Sequence, residues 1–183
     1  MIRLADHVDR ISAALNRIAL WGAVLALLVM LLSASWQVVA RYVLDAPPIW
    51  TEELSRRGMV WAGMLGASCA FRAGADPTLF PAMRHYRGGT GMALSLIRGA
   101  GVVIFATPVI WYSVFNARMD PARGFLGRSL NRQAEMLEIP MIFFTAAVPV
   151  AFVLIVIHMT AGILVRASGR LPANETPRED IET

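Results

Sequence analysis

The sequence is poor in charged residues, and it contains a single cysteine and no lysine. Only 16% of its 183 residues are charged, whereas 56% are hydrophobic. Soluble domains usually hold about 25% charged and about 45–50% apolar residues. This imbalance, with a mean hydropathy of +0.54, predicts an integral membrane protein. Because Cys69 is the lone cysteine, a disulfide framework and a cysteine-based metal site are excluded.

The sequence patterns of several other function classes are missing as well. No glycine-rich phosphate loop is present, so we expect no ATP hydrolysis by the chain itself. A membrane b-type cytochrome needs paired axial histidines, and only His158 lies well inside an apolar run. We therefore expect no cofactor, no metal and no enzymatic activity. The 17 basic residues are spread between apolar runs, which argues against nucleic-acid binding, and the net charge of +4 suits anionic lipid headgroups.

The apolar runs predict an all-α membrane protein with four transmembrane helices and an N-terminal interfacial amphipathic helix. We expect residues 1–17 to form the amphipathic helix, because their apolar side chains recur at helical spacing and the charged ones lie off that stripe. Packing of this helix onto a partner protein is the alternative. The stripe consists of Leu4, Val8, Ile11, Leu15 and Ile18. Residues 18–166 form the four-helix transmembrane domain, with spans at about 18–40, 51–74, 92–116 and 139–165.

The remaining segments are connections and a tail. Residues 72–91 are basic and rich in turn residues, and we expect a short interfacial helix at 79–86. The acidic residues 167–183 predict a disordered cytoplasmic tail. The small residues at 33–35 resemble a signal-peptidase site, but the apolar run before them is longer than a signal peptide needs.

The distribution of arginine predicts that both termini are cytoplasmic. Four spans place the two ends and the middle connection on one side of the membrane. That side holds more arginines than the other, and positive charge is enriched in cytoplasmic segments.

The charged junction between the first two spans is the most informative stretch. Pro47 and Pro48 predict a turn, and Thr51 then offers a hydroxyl N-cap for a new helix. Glu52 with Arg56, and Glu53 with Arg57, are spaced i,i+4 in the favourable acid-first order.

The apolar run behind this junction is short for a membrane span. It covers residues 58–71, about 21 Å of helix against about 30 Å of hydrocarbon. The charges therefore lie at or below the headgroups and need partners.

Small residues recur every four positions in the second span, at Gly58, Ala62, Gly66 and Ala70. Such a ladder lets two membrane helices approach closely, either within this chain or between this chain and another. Arg98, inside the third span, is interpreted as snorkelling to the interface, with a bond to a partner helix as the alternative. A lone His158 on an apolar helix predicts a hydrogen bond to a neighbouring helix.

The junction and the second span resemble the small membrane subunit of tripartite ATP-independent periplasmic (TRAP) transporters, the DctQ-like family. The resemblance extends over about the whole chain and includes two proline-containing dipeptides, one at the start of the last span and one within it. The residues that carry it are Arg41-Tyr42-Val43, Pro47-Pro48, Trp50-Thr51-Glu52-Glu53, Arg56, Trp61, Gly66-Ala67, Arg72, Ile139-Pro140 and Pro149-Val150.

The resemblance implies a role and partners. The chain would be an accessory subunit in a bacterial inner membrane, buttressing a large membrane subunit during Na⁺-driven uptake. A periplasmic substrate-binding protein would deliver an organic acid. The residues expected at the partner-subunit interface are Arg41, Trp50, Glu52, Glu53, Arg56, Arg57, Gly58, Ala62, Gly66 and Ala70.

Two other function classes stay open at the level of sequence. One is a self-sufficient small transporter that works as an oligomer, which should show a charge near the middle of the membrane. The other is the membrane anchor of a redox complex, which should show two intramembrane histidines or a catalytic pair.

Overall fold

The computed structural model describes residues 2–75 and 88–169, and its structure is helical. Four helices are long: α1 (Ile2–Tyr42), α2 (Trp50–Ala73), α3 (Gly88–Val114) and α6 (Ala147–Ala167). Between α3 and α6 lie a 3₁₀ turn at Pro121–Arg123, α4 (Phe125–Leu130) and α5 (Ile142–Thr145). Within the described ranges, the only strand-like pairing is an isolated bridge between Gln133 and Pro140.

Helix α1 is continuous over 41 residues, about 62 Å at 1.5 Å per residue. The predicted amphipathic segment 1–17 and the first predicted span 18–40 are therefore joined without a break. The apolar stripe of that segment faces outward, since Leu4, Ile11 and Ile18 are each more than half exposed. An interfacial position for this segment stays a prediction.

The buried side of α1 is built from small residues that are spaced at seven or fourteen positions. These buried residues are Ala5, Ser12, Ala19, Ser33 and Ala40. Seven residues are close to two helical turns, so the repeat stays on one face and lets α2 pack closely along it. The large apolar side chains of α1, such as Trp21 and Leu32, point away from the bundle. Small side chains of α1 thus face the bundle and large apolar ones face outward, as expected of a chain surrounded by lipid or by another membrane subunit.

The long helices run in alternating directions. The N-terminal half of α2 packs on the middle of α1, where Gly58 approaches Ala26. Its C-terminal end reaches the start of α1, where Arg72 pairs with Asp9, so α1 and α2 are antiparallel.

Helix α6 packs against α1, α2 and α3. Arg166 near its end bonds the carbonyl oxygen of Gly91 near the start of α3, and these two helices are also antiparallel. The start of α1 and the C-terminal half of α6 lie at the same end of the bundle, since Ser12 and His158 are within hydrogen-bonding distance.

Three helical segments are long and apolar enough to cross a membrane: Ile2–Tyr42, Gly89–Val114 and Ile142–Ala167. They include the predicted first, third and fourth spans. The predicted second span forms α2 but is not among the three, because four charged residues in its first two turns lower its hydropathy. With 24 residues, α2 is nevertheless about 36 Å long. A count of four membrane spans therefore stays a prediction.

The prediction that Thr51 caps α2 is wrong. The helix begins two residues earlier than that cap requires, at Trp50, with Ile49 at the N-cap position and no side-chain cap. The buried Thr51 hydroxyl instead donates to the Pro48 carbonyl oxygen, 2.7 Å away. At its other end, α2 stops at Gly74, whose positive φ of 68° suits glycine. The Ala75 amide closes that turn on the Ala70 carbonyl at 2.9 Å.

The fourth predicted span corresponds to α5 and α6, and Ala146 between them keeps helical dihedral angles and an amide bond to the Ile142 carbonyl at 3.0 Å. One helical hydrogen bond is missing here, because Pro149 lacks an amide hydrogen and leaves the carbonyl of Thr145 without its helical donor. Most of the 72–91 connection, including the helix expected at 79–86, lies outside the described residues. The same holds for the predicted tail beyond Gly169.

Candidate functional site

The two charge pairs at the start of α2 have different surroundings. Glu52 and Arg56 lie 3.8 Å apart, and their side chains are 60% and 62% exposed. Glu53 and Arg57 lie 3.0 Å apart, and Glu53 is only 3% exposed. The sequence predicted one cluster of four charges, whereas the structure forms one surface pair and one internal pair.

The Glu53 carboxylate is held by two donors from different elements. Its Oε1 accepts from Arg57 on the same helix, and its Oε2 accepts from the backbone amide of Met136 at 2.8 Å. A carboxylate away from water needs such partners, because an unpaired buried charge is costly. The Arg57 guanidinium also lies over the Phe144 ring, 5.5 Å from its centroid. Glu53 therefore ties α2 to the segment that precedes α6.

The loop that offers the Met136 amide is a compact turn. The Ala134 amide donates to the Ile139 carbonyl at 2.9 Å, and the Met141 amide donates to the Arg132 carbonyl at 2.8 Å. Glu138 adopts a positive φ of 50° within it. These bonds hold Met136 at the tip of the turn, facing Glu53.

The chain before this loop is folded tightly around two glycines. A Cβ at Gly124 would lie 2.1 Å from the Val114 carbonyl oxygen, and one at Gly127 would lie 2.2 Å from that of Pro121. Only glycine allows the backbone to approach this closely. α4 is then joined to α5 by a hydrogen bond between the hydroxyls of Thr145 and Ser129, at 2.9 Å.

Trp61 makes a second connection between α2 and α5. Its indole Nε1 donates to the Phe143 carbonyl oxygen at 2.7 Å. This carbonyl lies close to the junction of α5 and α6, where Pro149 removes one helical hydrogen bond. Together with Glu53 and Arg57, Trp61 holds the N-terminal end of the last predicted span against α2.

The remaining residues expected at the interface do not form one surface. Arg41 and Trp50 are exposed. Gly58 is buried against α1, where a Cβ would lie 3.1 Å from the Ala26 carbonyl oxygen. Gly66 has nothing within 4 Å of a Cβ, and Ala62 and Ala70 are partly buried. The four-residue ladder is therefore split between an internal contact at Gly58 and an open surface at Gly66.

A second polar centre, which the sequence analysis did not predict, lies at the end of the bundle opposite to the charge pairs of α2. Arg72 pairs with Asp9 at 3.0 Å and also bonds the hydroxyl of Ser12. Ser12 in turn lies 2.7 Å from Nδ1 of His158. The predicted hydrogen bond of His158 to a neighbouring helix is confirmed, and its partner is on α1. The seven-residue repeat of alanine and serine was the sequence signal that could have placed Ser12 on the inner face.

Arg98 has a partner within the chain rather than a purely interfacial position. Its guanidinium lies over the ring of Phe71 on α2, 4.7 Å from the centroid. This cation–π contact links α3 to α2, which α3 otherwise barely touches. Across the described ranges, no group of His, Cys, Asp or Glu side chains is arranged to hold a metal ion.

Comparison with protein families identifies the chain. Residues 30–169 match the family model described as tripartite ATP-independent periplasmic transporters, DctQ component. A comparison with functionally curated proteins gave no match. The family match covers both charge pairs, the loop at Met136 and all of α6. The resemblance carried by the junction at residues 41–61 is therefore confirmed, and this multi-pass membrane protein belongs to the DctQ family, the small membrane component of TRAP transporters.

Proposed function

We propose that this chain buttresses the large membrane subunit of a TRAP transporter during Na⁺-driven uptake of an organic acid. In this proposal a periplasmic substrate-binding protein delivers the acid, the chain lies in the bacterial inner membrane, and both termini are cytoplasmic. Family membership supports the role of a transporter component. The internal contacts of the bundle support a static part, because α2, α5 and α6 are tied together by Glu53, Arg57 and Trp61.

The observation that carries the partner assignment is the exposed pair Glu52–Arg56. Glu53 is satisfied inside the chain, so it is not available as a contact for another subunit. Glu52 and Arg56, in contrast, lie on the outer face of a helix packed among membrane-spanning candidates. Charges at this level avoid lipid when they face a partner protein or the headgroup layer. The exposed Arg41 and Trp50 extend the same end of the molecule.

The experiment is co-purification of the chain with its large subunit in detergent. Glu52→Arg and Arg56→Glu each place like charges side by side, and each should lower the yield of the two-subunit complex several-fold. The swapped double variant restores a neutral pair and should recover part of that yield. Arg123→Glu is the matched control, because Arg123 belongs to another exposed ion pair, with Asp120, outside α2. A wild-type yield in both single reversals would remove this pair from the interface.

A further inference from the structure

The polar centre at the start of α1 joins three helices that the apolar packing alone would leave free to slide. Arg72 of α2 donates to Asp9 and to Ser12, which lie one turn apart on the same face of α1. His158 of α6 reaches the same Ser12 hydroxyl. Ser12 is fully buried, His158 is 5% exposed and the Arg72 side chain is 18% exposed.

Arg72 donates in this centre, because an arginine can only donate and the Ser12 oxygen therefore accepts from it. Ser12 Oγ and His158 Nδ1 lie 2.7 Å apart and share a second hydrogen bond, which either group can donate because a hydroxyl oxygen has two acceptor lone pairs. A side chain with a polar atom at the position of Nδ1 would preserve this chain of bonds, and an apolar side chain would break it.

We propose that Asp9, Ser12, Arg72 and His158 form a polar lock that keeps residues 2–17 upright, in line with the first membrane helix. If this segment lay along the membrane surface, α1 would have to bend near residue 17. Asp9 and Ser12 would then leave Arg72 and His158, which are mostly buried, without these partners. Polar groups left unpaired among apolar helices are costly, so the lock opposes the bend.

Under this proposal the amphipathic pattern of residues 2–17 belongs to an upright helix, although the same pattern also predicts a helix in the membrane interface. Its apolar stripe predicted a helix lying flat, but the polar residues Asp9 and Ser12 are used inside the bundle. The inner face is recognised by Ala5 and Ser12, which are both buried. Leu4, Ile11 and Ile18 instead form the N-terminal part of one outward-facing apolar surface that continues along α1.

Depth measurements in a lipid bilayer test the proposal. Spin labels are attached to Leu4→Cys, Ile11→Cys and Ile18→Cys, one at a time, in a Cys69→Ser background in lipid nanodiscs. The accessibility of each label to oxygen and to a polar nickel chelate reports its depth. In an upright helix, successive labels are seven residues apart and differ by about 10 Å along the helix axis. In a helix lying flat, Leu4 and Ile11 have equal depth.

The lock is then altered in the same labelled proteins. The double variant Arg72→Gln/His158→Leu should lose the depth difference between positions 4 and 11, while position 18 stays unchanged. Two control variants should keep the wild-type differences in depth. The first is His158→Asn, which retains an acceptor for Ser12. The second is Arg17→Gln, which changes an exposed arginine about one turn further along α1. If the double variant does not insert, Ser12→Ala serves in its place, since it removes only the shared hydroxyl. Equal depths of the labels at positions 4 and 11 in the wild type would overturn the proposal. It would also be overturned if the double variant, or Ser12→Ala in its place, inserts and keeps the wild-type difference in depth.

Discussion

Two adjacent glutamates at the start of α2 have opposite environments. Glu52 and Glu53 have the same chemistry, the same acid-first pairing and the same place in the first turn of the helix. Neighbouring positions on an α-helix point about 100° apart, so only one of the two can face the Met136 turn. The sequence pattern indicates that an acidic residue is paired here, and the packing of the Met136 turn decides that it is Glu53.

We expect Glu53→Gln to destabilise the isolated chain by about 1.5–3 kcal/mol, the range for hydrogen bonds to a charged group. The amide keeps the size of the side chain but removes the charge that Arg57 and the Met136 amide both contact. Thermal unfolding of the purified subunit in detergent measures the change.

Glu52→Gln is the matched control for this prediction, because the side chain is 60% exposed and its pairing with Arg56 is loose. Exposed pairs contribute about 0.2–1 kcal/mol, so its unfolding temperature should stay close to that of the wild type. Equal unfolding temperatures for the Glu53 and Glu52 variants would contradict the distinction between an internal and a surface pair.

At the scale of the helices, the period of the small residues determines which ones meet. Each residue turns an α-helix by about 100°, so the eight residues from Gly58 to Gly66 rotate the face by about 80°. The two glycines of the ladder in α2 therefore face different directions: Gly58 lies against α1, whereas a Cβ at Gly66 would meet nothing within 4 Å. The repeat in α1 is seven residues long and drifts by only about 20° per repeat, against about 40° for each four-residue step in α2, and its members are buried at both ends of α1, from Ala5 to Ala40.

Gly58→Leu and Gly66→Leu should consequently have different effects. The first inserts a side chain against the backbone of Ala26 and should lower the stability of the isolated subunit by about 1–3 kcal/mol or more. The second meets no neighbour within the described part of this chain and should leave the stability of the isolated subunit near that of the wild type.

Both variants are measured by thermal unfolding of the subunit alone and then by co-purification with the large subunit. A loss of complex in Gly66→Leu without loss of stability would assign that face to a partner. Destabilisation of the isolated subunit by Gly66→Leu, as large as that by Gly58→Leu, would contradict the structural distinction between the two glycines.

At the scale of the whole molecule, the chain presents large apolar residues outward and keeps small and polar ones inside. Trp21, Leu32 and Ile104 are each more than 60% exposed, whereas Ser12, Ser68 and Glu53 are buried. This arrangement suits a component surrounded by lipid and other membrane subunits. The proposed role gives it no substrate site of its own, so transport has to be tested in the assembled system.

Uptake by the assembled transporter should depend on an ion gradient and not on ATP. Proteoliposomes that contain both membrane subunits, supplied with the binding protein and its organic acid, should accumulate that acid when an inward Na⁺ gradient is imposed. Omitting this chain should abolish or strongly reduce accumulation if it supports the large subunit. Accumulation driven by added ATP in the absence of any gradient would refute the proposed coupling.

The sequence by itself determined the membrane class, the helical fold and the family. Apolar runs leave the backbone no stable alternative to helices in lipid, and the motif at residues 41–61 is local, so both can be recognised without knowledge of distant contacts. The tertiary structure decided which residues of that motif are internal. It also placed Ser12 against Arg72 and His158, a contact that exists only after α1, α2 and α6 have packed. Pairings between residues more than fifty positions apart depend on helix rotation and register, which no local pattern specifies.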